Sequence, residues 1–103
     1  VVTLPAEIDV SNDGQVQDML TRGLAGGTAV LVADAGATAF CGCAGAAALL
    51  ATRYRAAAAG ARLRVAASPA VRRILELTGA DQLLDTYPTL AAAVADGQPT
   101  DRS

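Results

Sequence analysis

Ala29-Val30-Leu31-Val32-Ala33 leads into Asp34-Ala35-Gly36-Ala37-Thr38-Ala39-Phe40-Cys41-Gly42-Cys43, and this loop opens onto Ala44-Gly45-Ala46-Ala47-Ala48-Leu49-Leu50. The first run is short, continuous and apolar, as in a strand covered on both faces. The loop is rich in Gly and Ala. Beyond it a helix is predicted from about Ala44 to Ala59, with Gly60 placed as its stop. A buried strand, a loop and a long helix in that order form one unit of a parallel sheet with crossover helices. Functional loops of such sheets gather at the carboxyl ends of the strands. Residues 34–45 are therefore the first place to look for function.

Working outward, Leu63 and Val65 alternate with Arg62 and Arg64, which predicts a strand with one wet face. Ser68-Pro69 is the clearest cap in the chain, Ser as N-cap and Pro at the first helical position. The helix it opens carries Val71, Ile74, Leu75 and Leu77 and closes at Gly79; a short turn follows over Asp81–Leu84. Asp85-Thr86-Tyr87 reads as a last strand, Tyr87-Pro88 as a strand-to-helix turn, and Thr89 as the cap of a final helix from Leu90 to Ala95. Upstream, Val1-Val2-Thr3-Leu4 followed by Ile8 reads as one strand. It begins abruptly, which leaves room for an earlier one. Asn12 or Ser11 caps a helix with Val16, Met19, Leu20 and Leu24 on one face, ended by Gly26-Gly27. The expectation is one α/β domain over residues 1–95, a mostly parallel, mixed sheet of about four strands with helices packed on it. Residues 96–103 are expected to form a flexible tail.

Composition limits what such a domain does. The 103 residues are enough for one core. Much of the 52% hydrophobic content is alanine, so the larger aliphatics, Leu77, Leu83 and Val94 among them, are expected to supply the core. Net charge is −2 and no basic run stands out, which argues against nucleic-acid binding. All the basic residues are Arg; with the Ala and Gly content this fits a GC-rich bacterial genome. The absence of His removes the commonest general base and metal ligand. No apolar run approaches a membrane span, and no signal-peptide pattern is present, so a cytoplasmic location is expected and direct membrane insertion is not.

The remaining chemistry-bearing residues point to binding, not catalysis. Cys41 and Cys43 are too few for a structural zinc site, and a disulfide between them would close a small strained ring. No metal or other cofactor is expected. Cys41 reads as a buried small apolar residue; Cys43 falls at a helix N-terminus, a setting that favours thiol chemistry, so a redox sensor is one alternative. Gly36, Gly42 and Gly45 match neither phosphate-binding spacing. Gly45 reads as a point of close backbone approach. Asp9 and Asp34 end what should be adjacent strands. Without His, Lys or a matched nucleophile they read as surface or capping groups, and an enzyme is not expected. Arg72-Arg73 reads as a solvated helix face.

The loop and helix start, Asp34 to Leu50, resemble the central motif of STAS domains, the family of bacterial anti-sigma factor antagonists. In that motif an Asp ends a buried strand, a hydrophobic pair follows, and Asp-Ser-Ser-Gly or Asp-Ser-Ala-Gly opens a helix. Three further stretches agree in order and spacing. Glu7-Ile8-Asp9 is similar to the Gly-Glu-Leu-Asp that ends an early strand, with Ala6 where the family has Gly. Gly60-Ala61-Arg62-Leu63-Arg64 resembles the entry to the next strand, and Ser68-Pro69-Ala70-Val71-Arg72-Arg73-Ile74-Leu75-Glu76-Leu77-Thr78-Gly79 resembles the third helix. The resemblance spans about residues 3–95.

What it implies is regulation of transcription by protein binding. Such antagonists dock on an anti-sigma factor, often a serine kinase, and free the sigma factor; phosphorylation of the motif's first Ser ends binding. Here Gly42 stands in place of the motif's Asp and Cys43 in place of the phosphoacceptor Ser. The resemblance thus implies docking without that switch, through Asp9, Cys41, Gly42, Cys43, Ala44, Gly45, Ala47 and Ala48; of these the small residues Gly42, Ala44, Gly45, Ala47 and Ala48 would offer a flat surface. It extends also to accessory subunits of membrane transporters, the second alternative partner class.

Overall fold

Two six-residue strands form the centre of the sheet. β3 (Val30–Ala35) and β5 (Arg62–Ala67) run parallel, with Val30 opposite Arg62 and Ala35 opposite Ala67. β1 (Val2–Thr3) flanks β3 and β6 (Asp85–Tyr87) flanks β5, so the order is β1-β3-β5-β6 with every pairing parallel. The computed structural model describes residues 1–95; the expected tail over 96–103 lies outside the described residues.

Helices complete the crossovers: α1 (Asp13–Ala25), α2 (Cys43–Ala58), α3 (Pro69–Thr78) and α4 (Leu90–Ala95). The pleat sends alternate side chains to opposite faces, and the two faces hold separate cores. Leu31, Ala33, Ala35, Leu63, Val65 and Ala67 cluster with Val16, Leu20, Leu49, Val71 and Leu75 from α1, α2 and α3. Val32, Ala66 and Tyr87 cluster with Ala93 of α4.

Several local expectations hold. Ser68 Oγ accepts from Val71 N at 3.2 Å and donates to Thr38 O at 2.6 Å, so the cap also ties α3 to the loop after β3. Gly60 and Gly79 take positive φ, +75° and +78°, the left-handed conformation a helix stop needs. Thr89 Oγ1 accepts from Ala92 N at 3.0 Å. The turn before β6 is a single 3₁₀ turn, Ala80–Gln82.

Three expectations are corrected. The amino-terminal run is two strands, not one. Pro5 has no N–H to continue the ladder, and its carbonyl accepts from Thr38 Oγ1 at 2.8 Å. The chain then forms β2 (Glu7–Ile8), which pairs with β4 (Phe40–Cys41) in a second, two-stranded sheet. Residues 34–43 therefore contain a strand. Secondly, β5 is wet only at its first residue, Arg62: Arg64 is only 5% exposed, because α4 covers it and Arg64 Nη1 donates to Ala93 O at 3.1 Å. Thirdly, Leu77, Leu83 and Val94 are exposed, while Ala33, Ala35, Ala46, Ala48, Ala56, Ala66 and Ala67 are fully buried. Closely packed helices and strands leave room for methyl groups there, so alanine carries more of the core than its small area suggests.

Candidate docking site

The site begins where β4 ends. Gly42 N donates to Ile8 O at 2.9 Å, extending the β2–β4 pairing by one bond and fixing the direction in which α2 departs. Gly42 is the N-cap of α2, in extended backbone (φ −88°, ψ −177°) that any residue adopts, and no side chain caps the helix. Cys43 follows as the first helical residue, a free and exposed thiol.

The expected contact residues divide by depth. Cys43 and Ala47 are exposed, one helical turn apart and so on one face of α2, with Gly42 and Ala44 half-buried beside them. Asp9 is half-buried at the end of β2. Cys41, Gly45 and Ala48 are buried. Their part is to shape the surface from below. The close approach that Gly45 permits is internal: a Cβ there would collide with Cys41 Sγ and meet Ile8 Cγ2 at 3.1 Å. Gly45→Ala should therefore destabilise the domain by about 1–3 kcal/mol. Thermal unfolding measures this, and the loss should shrink when Cys41→Ala is made alongside.

Each aspartate holds its own turn. Asp9 Oδ1 accepts from the Ser11 hydroxyl and from Ser11 N at 2.8 Å. The hydroxyl first, then the amide, hold the carboxyl below its usual range, with slight burial opposing them and the Asn12 amide adding to them. Asn12 stands at the N-cap of α1 as expected, but its side chain makes no capping hydrogen bond and turns back instead, accepting from Asp9 N through Oδ1 at 2.9 Å and donating from Nδ2 to Glu7 O at 2.7 Å. Asp34 Oδ1 accepts from Gly36 N at 3.0 Å. The two do not end neighbouring strands: Asp34 lies in β3 beside β1, whereas Asp9 follows β2 in the other sheet. Burial, and secondarily the neighbouring Cys43, push the Cys41 thiol up.

Sequence reasoning missed an apolar groove beside this surface. It holds about 240 Å³ between β4 and α3, lined by Ala39, Phe40, Cys41, Ala70, Arg73, Ile74 and Leu77. Phe40 is 53% exposed and Leu77 71%. The available signals were Leu77's position, two residues past Leu75 and so off the buried stripe of α3, and the alternation of Phe40 with Cys41. A cleft of similar size, about 250 Å³, lies at the opposite end of the strands and includes Arg53, Arg62, Leu83 and Asp85. Arg62 and Asp85 approach to 3.7 Å there, both about half exposed, a pairing worth little. Among the described residues no group of three or more His, Cys, Asp or Glu is placed to hold a metal ion. No helix among them is long and apolar enough to cross a membrane.

A four-stranded parallel sheet, helices on both faces and a strand–turn–helix junction at the carboxyl ends define a small α/β domain organised around residues 40–48. The family model described as STAS domain matches residues 1–93, and the chain belongs to that family. Among solved structures it is similar to an anti-sigma factor antagonist from Mycobacterium paratuberculosis, with 31% identity and a TM-score of 0.79 over 89% of this chain and 79% of that one. No curated protein matches it.

Proposed function

We propose that this chain is an anti-sigma factor antagonist that docks on its partner through the start of α2 and acts by occupancy, without catalysis. One observation carries the reading: Cys43 and Ala47 form an exposed face of small side chains at the amino end of α2. A partner backbone can come close to such a face. By resemblance to the family motif, Cys43 occupies the phosphoacceptor position. A thiol is no substrate for a serine kinase, so binding here persists when a kinase and ATP are present. The sigma factor is released for as long as the antagonist is bound, and the setting is the cytoplasm, where sigma factors act.

The test is capture from cells of the native host with the purified chain as bait, followed by identification of what is bound. An anti-sigma factor of the kinase class is the expected result. A transporter subunit recovered in its place would contradict the reading.

A further inference from the structure

The groove between β4 and α3 continues the Cys43 face. The Phe40 ring forms the wall between them: its Cε2 lies 3.9 Å from where a Cβ on Gly42 would stand. Cys41, its thiol pushed up by burial, provides a neutral floor, and Ile74 and Leu77 form the far wall. Two large apolar side chains left more than half exposed on either side of a concave surface are what a partner's apolar anchor needs.

The charge at the rim narrows the occupant. Among the described residues Arg73 is the only charged one lining the groove, and Arg72 beside it is also exposed. Arg73 makes no hydrogen bond or ion pair among the described residues. Neither Glu76, one turn further along α3, nor Glu7, paired with Phe40 across the two-stranded sheet, is part of the lining, and neither forms an ion pair with Arg73. An unengaged guanidinium beside an apolar groove suits a carboxylate set next to the anchoring side chain. The groove is small and open, too little to hold a partner by itself, and so belongs to a wider interface.

We propose that this groove receives an apolar side chain of the partner's docking segment, flanked by a carboxylate that pairs with Arg73. This rests on the reading that an anti-sigma factor docks on the Cys43 face, and it specifies how that face selects among such partners.

Two measurements test it. The first uses the anti-sigma factor recovered with the wild-type chain. Leu77→Asp should weaken binding at least about tenfold and Arg73→Glu about fivefold, with unfolding curves unchanged because both side chains are exposed. If both variants bind within twofold of wild type, the groove proposal is overturned while the proposed function stands. The second uses a short amphipathic peptide with leucines along one face and glutamates beside them, and a counterpart with lysines. Titrated into labelled protein, the glutamate peptide should give saturable amide shifts centred on residues 39–41 and 70–77, and Arg73→Glu should reverse the preference to the lysine peptide. If no anti-sigma factor binds the wild-type chain, the proposed function fails and the peptides decide on the groove. Saturable shifts with a charge preference that reverses support an acidic, apolar docking segment; shifts elsewhere, or equal for both peptides, overturn it.

Discussion

Ala47→Glu should leave the domain folded and abolish docking, whereas Ala48→Glu should unfold it. The two residues are neighbours on α2, yet successive helical positions point about 100° apart. Ala47 is exposed on the same face as Cys43; Ala48 is 0% exposed within the larger core. A carboxylate forced into that core has no partner and no room, at a cost of several kcal/mol. That is a large part of the roughly 5–15 kcal/mol that holds a typical domain together. On the surface the same group costs the fold little, but at a close-packed interface it must be desolvated. Binding should then fall by at least about a hundredfold, the few kcal/mol expected of an unpaired interfacial charge. Thermal unfolding and titration calorimetry separate the two outcomes. If both variants fold and bind as wild type does, the interface lies elsewhere.

That contrast also marks where the sequence stops being legible. With Ala46, Ala47 and Ala48 in succession, no change of polarity tells the inner face of α2 from the outer, so Ala48 and Gly45 read as surface residues alongside Ala47. Strong local signals behave differently. Ser68-Pro69, Gly60 and Gly79 act through their own backbones, and their caps and stops stand as expected. Arg64 fails for a tertiary reason: Leu63-Arg64-Val65 alternates as a half-exposed strand does, and only the packing of the short helix α4 buries the guanidinium. The strands β2 and β4 have two residues each, too few for any periodic signal, and they depend on Pro5 and Thr38, far apart in the chain. The Phe40–Leu77 groove likewise joins segments that no local pattern relates.

The second large effect is a gain of function. The double change Gly42→Asp with Cys43→Ser should make the chain a substrate for an anti-sigma kinase of this class. The backbone accepts both residues as it stands. Gly42 has extended φ and ψ, and a Cβ there has only ordinary contacts, 3.9 Å to Ile8 O and to Phe40 Cε2. Asp is also a better N-cap than Gly, so stability should rise by a few tenths of a kcal/mol. Ser at position 43 replaces an exposed thiol with an exposed hydroxyl. Phosphorylation would then add about −1.5 to −2 charges at the amino end of α2, where the helix's own N–H groups tolerate them. Within the docked interface that charge must be desolvated or paired, and the cost should expel the partner. Unmodified, the double variant should bind as wild type does; once ATP is supplied it should take up one phosphate and dissociate. A variant that stays bound and unmodified beside an active kinase would show that Cys43 does not occupy the phosphoacceptor position, or that the partner is of another kind.

The central claim is docking without a phosphorylation switch at the start of α2, and one measurement addresses it most directly. The wild-type chain is mixed with its captured anti-sigma kinase, ATP and magnesium, and the complex is followed by size-exclusion chromatography with intact-mass and peptide mass spectrometry. We expect the complex to persist with the chain at its unmodified mass. Stoichiometric phosphate on any residue between 34 and 50, with loss of the complex, would contradict it.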